Sequence, residues 1–244
     1  MSTYLYGIVG ATHPKNVAEL RGVGEEPSAL RTVPAGELAA VVGDAPDGLR
    51  AKRRDLAAHQ HVLEELCAQG ATLPMRFGVV ADDDESIARE VSAEVERYTQ
   101  LLANVEGRFE INVKVAHEES AILRRILMEN EELRRMNEDL RQQDGGSPDD
   151  RVRFGEAVAA ALDDRGQRDA AAVTSALSGH AVHSSTGPAV DGCFVNASFL
   201  VDQNDAERFN AAVEEVREAF AEIAEVRVYG PLPPYSFIET AGTP

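Results

Sequence analysis

Two histidines and an aspartate on one predicted helix are the first residues here whose types and spacing suggest chemistry. Asp55 and His59 lie one helical turn apart, so both could reach the same metal ion. His61 follows His59 by two residues, roughly 200° around the helix axis, so the two histidines cannot share a metal. The sequence offers no further ligands for such a site. We therefore expect His59 to be a core histidine that bonds to a neighbour.

The remaining candidates for catalysis or phosphate binding lack the partners they would need. His183-Ser184-Ser185 has a histidine and hydroxyls but no nucleophile elbow and no local acid. Gly22-Val23-Gly24 runs into Glu25-Glu26, which would repel a phosphate. Cys67 and Cys193 share no motif, so we expect two reduced, largely buried thiols. We predict a protein that is not an enzyme, with no catalytic residue, no metal ligand and no cofactor.

Positive charge is concentrated in one stretch of a strongly acidic chain. The formal net charge is −18, yet four cations lie within residues 50–54 and Arg76 stands in the apolar block LPMRFG. The cluster is either a solvated basic face or a docking site for an acidic partner. For Arg76 we favour a half-buried arginine paired with a carboxylate over a partner contact. The predicted partner-binding residues are Arg50, Arg53, Arg54, Arg76 and Tyr235.

Composition narrows the classes of partner. Apolar residues at 43% and charged residues at 27% are ordinary for a globular protein. A pI near 4.7 argues against nucleic acid, which requires a cationic face, and against attraction to anionic membranes. The first residues lack the basic start of a signal peptide, and no apolar run is long enough to span a membrane. We expect a cytoplasmic protein.

The first half of the chain reads as strands mixed with helices. Period-2 and period-3.6 patterns predict a strand over 3–9, a hairpin over 30–42, helices over 49–68 and 82–102, and a strand over 109–115. The helix over 49–68 presents one apolar face formed by Leu56, His59, Leu63 and Leu66.

A long charged helix is predicted over residues 118–143. Its apolar residues and two asparagines, Asn130 and Asn137, follow heptad spacing, and such asparagines set the pairing of coiled coils. Three heptads are few, so we favour a helix that packs on its own domain over a coil that pairs with a partner. After the glycine linker, Ser147 and Pro148 should begin an alanine-rich helix that reaches residue 178, with a break near Gly166.

The last part returns to strands. Strands over 181–185, 192–201 and 226–229 surround a helix with an apolar stripe, which is most of a ferredoxin-like unit. The predicted fold class is α+β, with two α+β domains, one of them ferredoxin-like, bridged by long helices. The predicted parts are 1–117, a helical connector over 118–180 with its linker near 144–148, and 181–244. The proline-rich segment 231–237 should fold back and bury Tyr235 and Phe237.

Four segments together resemble the gas vesicle synthesis protein family GvpL/GvpF. They are YLYGIV at 4–9, the helix around Arg53, Asp55, Leu56 and His59, LPMRFG at 73–78, and GPLPPYSF at 230–237. Leu232 departs from the family pattern, which more often has tryptophan there, and this weakens that corner as an aromatic docking point.

The resemblance implies a non-enzymatic accessory or minor structural protein of gas vesicle formation. Such a protein would bind the small hydrophobic shell protein and other accessory proteins, and would assist nucleation or assembly at the vesicle. No cofactor is implied. Two alternatives stay open: a small-ligand-binding or enzymatic module on the ferredoxin-like part, and a scaffold that pairs through the helix over 118–143.

Overall fold

A computed structural model describes residues 2–238, and these form two compact units that interleave along the chain. The described part of unit 1 comprises residues 2–111, 200–203 and 230–238, and unit 2 comprises 112–199 and 204–229. The sequence pattern instead predicts three consecutive parts. That division into domains stays a prediction, and its last six residues lie outside the described ones.

Unit 1 is built on an antiparallel sheet. Its strands are β1 (Thr3–Gly10), β2 (Arg31–Ala35), β3 (Leu38–Asp44), β4 (Thr72–Pro74) and β5 (Val80–Ala81). The order is β2-β3-β1-β4, and β5 also pairs with β1. The predicted hairpin is confirmed: Ala35 pairs with Leu38, and Gly36 in the turn has a φ of +66°, which suits glycine.

Three helices cover the two faces of this sheet. They are α1 (Arg53–Gln69), α2 (Asp84–Ala93) and α3 (Val95–Val105). Tyr4 and Tyr6 of β1 pack with α1, whereas Leu5 and Ile8 belong to the apolar cluster that includes α2 and α3. A register shift between Leu5 and Gly7 changes the phase of the strand. The sequence pattern predicts a single helix over 82–102, but this segment forms two helices, α2 and α3.

Unit 2 contains most of the ferredoxin-like arrangement, while residues 108–111, 200–202 and 230–232 of its strands belong to unit 1. Its sheet has the order β7-β8-β6-β9, from β6 (Arg108–His117), β7 (His183–Thr186), β8 (Cys193–Asp202) and β9 (Ala224–Leu232). Helices lie between β6 and β7, and the helix Ala206–Phe220 lies between β8 and β9. The prediction is confirmed with one correction: the first strand of the arrangement is β6, which the sequence analysis had placed in the N-terminal part.

The other helices of unit 2 correct the coiled-coil pattern. They are α4 (Glu119–Glu129), α5 (Glu131–Gln142) and α6 (Pro148–Ser178). The helix between β8 and β9 described above is α7 (Ala206–Phe220). The chain leaves helical geometry at Asn130, whose side chain accepts from the Leu133 N–H at 3.1 Å and caps α5. A continuous helix over 118–143 was thus wrong, because Asn130 ends one helix and begins the next.

The start of α6 is confirmed, and its predicted break is not. Ser147 and Asp150 form a capping box, and Pro148 occupies the first turn. The helix then continues through Gly166 without interruption. Ile126 and Leu133 pack with Phe154 and other apolar residues of α6, so the α4–α5 pair contacts its own unit. Within residues 2–238, no helix is long and apolar enough to cross a membrane.

Candidate functional site

The block Met75-Arg76-Phe77-Gly78 forms a bulge at the edge of the unit 1 sheet. Met75 N–H donates to the Tyr6 carbonyl at 2.8 Å, and the Leu5 N–H donates to the Val79 carbonyl at 3.0 Å. Tyr6 and Leu5 are adjacent on β1, while Met75 and Val79 are four positions apart on the other strand. Residues 76–78 are therefore extruded from the ladder, an arrangement that re-aims side chains and ends strand pairing.

Aromatic rings hold this bulge in place. The Phe77 ring lies edge-on to the rings of Tyr4 and His59, with centroids 5.9 and 5.7 Å apart. The Gly78 N–H donates to the Tyr4 hydroxyl at 3.1 Å. Gly78 has a φ of +95°, a conformation that favours glycine, so the residue type at this position follows from the turn of the chain.

His59 is the centre of the buried network beneath the bulge. Its Nε2 lies 3.0 Å from the Met75 carbonyl, and its Nδ1 lies 2.9 Å from the Tyr4 hydroxyl. A carbonyl can only accept, so Nε2 carries the proton and Nδ1 accepts from Tyr4. Burial lowers the pKa of His59 and raises the pKa of Tyr4 above its usual range. His59 is thus the core histidine predicted from the sequence.

The same network holds the glycine loop Gly22-Val23-Gly24 in place. The Val23 N–H donates to the Tyr6 hydroxyl at 2.8 Å, and the Gly24 N–H donates to Asp55 at 3.0 Å. The Gly24 hydrogen bond is the main reason that the pKa of Asp55 is lowered. Asp55 therefore supports a loop and does not share a ligand with His59.

All four segments that carry the family resemblance meet around His59. Tyr4 and Tyr6 come from the first segment, His59 from the helix, and Met75 to Gly78 from the edge bulge. Tyr235 comes from the last: its ring packs against the same core, and its hydroxyl lies 3.5 Å from His59 Nε2. Ser236 fixes this segment, because its N–H and hydroxyl donate to the buried Glu110 at 2.8 and 2.7 Å.

Arg76 is placed differently from the sequence interpretation. Its side chain is exposed, and it forms no ion pair with any residue from 2 to 238, so the half-buried, paired arginine was wrong. Its neighbours Met75 and Phe77 are buried and half-buried. Arg76 is therefore a solvent-exposed cation on a backbone segment that hydrogen bonds hold on both sides, at Met75 and at Gly78.

The basic cluster is only partly helical and only partly unpaired. Helix α1 begins at Arg53, so Arg50 and Lys52 precede it and the predicted start at residue 49 was wrong. Lys52 pairs with Glu25 at 3.1 Å and Arg54 pairs with Asp55 at 3.2 Å. Arg50 and Arg53 are exposed and form no ion pair within the described chain.

The apolar face of α1 also differs in one position. Leu56 is 42% exposed, while Asp55 and His59 are buried together with Val62, Leu63 and Leu66. The helix is rotated because the Asp55 carboxylate has a backbone partner in the glycine loop. That partner comes from a distant part of the sequence, so periodicity alone could not place it.

Unit 2 contains a polar network that the sequence analysis missed. His117 Nε2 lies 2.8 Å from Asp169, Arg165 Nε donates to both Asp169 oxygens at 2.9 Å, and Arg165 also pairs with Glu129 at 2.8 Å. The Phe194 ring stacks on His117 at 4.1 Å. The one available signal was the Arg165–Asp169 spacing of four residues on a helix.

The histidines and the arginine that stood out in the sequence occupy different local environments. His59 is buried in unit 1, Arg76 is exposed at its edge, and His183 is exposed on β7 of unit 2. Among the described residues, no three His, Cys, Asp or Glu side chains are grouped so as to hold a metal, and both cysteines are free.

Comparison with known proteins places the chain. Residues 2–239 match the family described as Gas vesicle synthesis protein GvpL/GvpF. The chain belongs to this family. It is 42% identical to Gas vesicle protein F of Streptomyces sp. (strain CB03234), with 98% of this chain and 100% of that protein covered. It is 31% identical to Gas vesicle protein L of the same strain, over 88% of this chain and 85% of that protein.

Solved structures of the family share the fold. The crystal structure of GvpF from Anabaena sp. PCC7120 gives a TM-score of 0.83 at 21% identity, covering 99% of each chain. That of GvpF from Microcystis aeruginosa gives 0.78 at 23% identity, covering 97% of this chain and 98% of that one. As a member of the GvpL/GvpF family, the protein is involved in gas vesicle formation, and this family is not a known enzyme family.

Proposed function

We propose that this protein is a non-enzymatic assembly factor that binds the small hydrophobic shell protein and assists its nucleation in the cytoplasm. The observation that carries the proposal is Arg76: an exposed cation without an ion-pair partner in residues 2–238, on a bulge anchored by His59 and Tyr4. A site that is already ordered loses little conformational entropy when a partner binds.

The surroundings of Arg76 in the chain fit an apolar client that carries acidic groups. Val79 and Val80, just after the bulge, are 37% and 45% exposed. These side chains offer apolar contact, and the guanidinium offers a charge-assisted hydrogen bond. The net charge of −18 repels copies of the protein from one another, which would keep a complex with an apolar client soluble.

The other predicted contact residues take different parts in this proposal. Arg50 and Arg53 are a second exposed cationic pair that would attract acidic groups and raise the association rate. Arg54 is engaged by Asp55 and is assigned to loop support. Tyr235 packs against the core, so we assign it to holding the bulge.

The test is shell-protein binding by charge-reversal variants. R76E should weaken co-purification with the shell protein by about tenfold or more, because it removes a charge-assisted contact and introduces repulsion. R50E/R53E should act mainly on the association rate and its salt dependence. R141E is the matched control, because Arg141 is an exposed cation on α5 of unit 2.

Equal binding by R76E, R141E and the unmodified protein would remove the bulge from the interface. Circular dichroism and thermal unfolding must first establish that R76E folds. That is the expected result, because the Arg76 side chain makes no ion pair in residues 2–238.

A further inference from the structure

Strand β9 is an unprotected edge of the unit 2 sheet. In the order β7-β8-β6-β9 it pairs with β6 alone among the strands that the structure describes. Proteins usually shorten such edges or place proline in them. The edge strand β2 carries Pro34 and the edge strand β7 has four residues, whereas residues 224–229 of β9 form a proline-free run within unit 2. This run is therefore the edge best suited to accept a further strand.

The register of β6 and β9 determines which backbone groups of β9 face the open edge. The Glu118 N–H donates to the Ile223 carbonyl at 2.8 Å, and the Lys114 ammonium lies 5.2 Å from the centre of the Tyr229 ring, so the two strands run antiparallel. Hydrogen-bonded pairs alternate along an antiparallel ladder. Every second residue of β9, counted from Ile223, therefore directs its N–H and carbonyl toward β6, and the residues between them direct theirs outward.

We propose that a second copy of this chain pairs with β9 about a two-fold axis at Val226, which joins the unit 2 sheets of the two copies. The residues whose backbone groups face outward are Ala224, Val226 and Val228. About this axis Val226 lies opposite the partner's Val226, and Ala224 lies opposite the partner's Val228. The two strands therefore exchange hydrogen bonds at each of these residues. Val226 and Val228, half-buried in one copy, gain apolar contact.

The charges along β9 are complementary to themselves under this symmetry. Glu225 lies opposite the partner's Arg227, and Arg227 lies opposite the partner's Glu225. Both side chains are exposed on the same face, where Arg227 Nε donates to Glu225 of its own strand at 3.2 Å. Opposite charges at opposed positions of antiparallel strands stabilise pairing, and these positions are non-hydrogen-bonded ones, where side chains approach most closely. This complementarity favours a second copy over an unrelated peptide.

The experiment is sedimentation velocity of the full-length protein. The net charge of −18 opposes the approach of two copies, so we expect a weak dimer in a concentration-dependent equilibrium. The buffer contains about 0.15 M salt, which largely screens exposed charges more than about 8 Å apart. E225R and R227E each place like charges opposite each other and should weaken dimerisation about tenfold. An equimolar mixture of these two variants should restore the dimer, because each supplies the charge that the other lacks.

Two further variants separate charge from backbone pairing. E215R makes the same change in net charge at an exposed glutamate of α7 and should not weaken the dimer. V226P removes the N–H that faces the open edge and leaves the bonds to β6 intact, so it should abolish the dimer. Circular dichroism establishes whether V226P folds, and the mixture of E225R and R227E decides the question if it does not.

Three results would overturn the inference. They are an unmodified protein that is monomeric up to about 1 mM, a mixture of E225R and R227E that remains monomeric, and a folded V226P that still dimerises. A monomeric protein whose co-purification with the shell protein is lost in V226P would assign the edge to the shell protein, and would equally overturn the pairing of two copies.

Discussion

His59 of unit 1 lies among aromatic rings and neutral hydrogen-bonding groups, whereas His117 of unit 2 lies against a carboxylate. The rings of Tyr4, Tyr6 and Phe77 surround His59 at centroid distances of 5.6 to 5.7 Å. His117 is stacked on one ring, and its Nε2 meets Asp169, which Arg165 also holds.

The difference shows two ways to connect elements that are distant in sequence. In unit 1, a neutral network in an apolar interior fixes backbone: a carbonyl of the edge bulge and, through Tyr4, an N–H of the same bulge. In unit 2, an ionic chain links β6 to two helices, α6 and α4, by side chains alone. The first arrangement positions a surface segment, and the second clamps helices.

Removal of the His59 ring should have the largest effect. H59A leaves the Met75 carbonyl without its donor, leaves the Tyr4 hydroxyl without its acceptor, and opens a cavity among three rings. We expect a loss of about 3 kcal/mol in the free energy of unfolding, measured with urea. H61A changes the same residue type at an exposed position of α1 and should change stability by less than about 0.5 kcal/mol.

A loss below about 1 kcal/mol in H59A would contradict the neutral network as the anchor of unit 1, since truncation of a buried, bonded side chain costs more than that. The same variant should also weaken shell-protein binding, because Arg76 depends on the bulge.

Neutralising Asp169 should have the second-largest effect and tests the ionic network. D169N removes the charge shared by His117 and Arg165 inside unit 2, and we expect a loss of about 2 kcal/mol. Asp164 provides the control: it pairs with Arg168 on the same helix at the same four-residue spacing, but both side chains are about two-thirds exposed. D164N should therefore cost less than about 0.5 kcal/mol. Equal losses in both variants would remove the distinction between buried and exposed pairs.

Lowering the pH should destabilise the protein, because His59 is neutral in the folded state. Burial lowers the pKa of His59 in the folded protein. Below pH 6.5, roughly the pKa of histidine in the unfolded chain, the unfolded chain therefore binds a proton that the folded chain does not bind. The free energy of unfolding is therefore highest above this pH and decreases as the pH falls below it. One proton accounts for at most about 1.4 kcal/mol per pH unit. His13, whose pKa is also lowered by burial, acts in the same direction.

The measurement is the unfolding free energy between pH 7.5 and pH 5.5. H59Q should show a shallower pH dependence than the unmodified protein, and H61Q should show the original slope. A slope unaltered in H59Q would mean that His59 does not contribute to the acid sensitivity of unit 1.

Several elements were predictable because their signals are local. The hairpin, the helix start at Ser147-Pro148 and the last three strands of the ferredoxin-like unit follow from turn residues, caps and periodicity. The burial of His59 followed from its place on an apolar stripe. The prediction failed at Leu56, because the rotation of α1 depends on the Gly24 N–H, and at Asn130, because this side chain caps a new helix.

The candidate site was less predictable than the fold. The sequence indicated Arg76 as a candidate, but not whether its side chain is exposed or ion-paired. The same neighbouring residues are compatible with either arrangement. Arg165 and Asp169 could be suspected from their spacing, whereas His117 joins them from a different strand.

By itself, the sequence determined the family, the α+β class and most secondary-structure elements, because short motifs, caps and hydrophobic periods act over a few residues. It also determined that the chain is acidic, with a few cations near Arg50 and Arg76. Only the tertiary structure decided which polar groups are paired. Hydrogen bonds and ion pairs require contact within a few ångströms, and that contact is made between residues such as Tyr4, His59 and Tyr235, which the fold brings together from opposite ends of the chain.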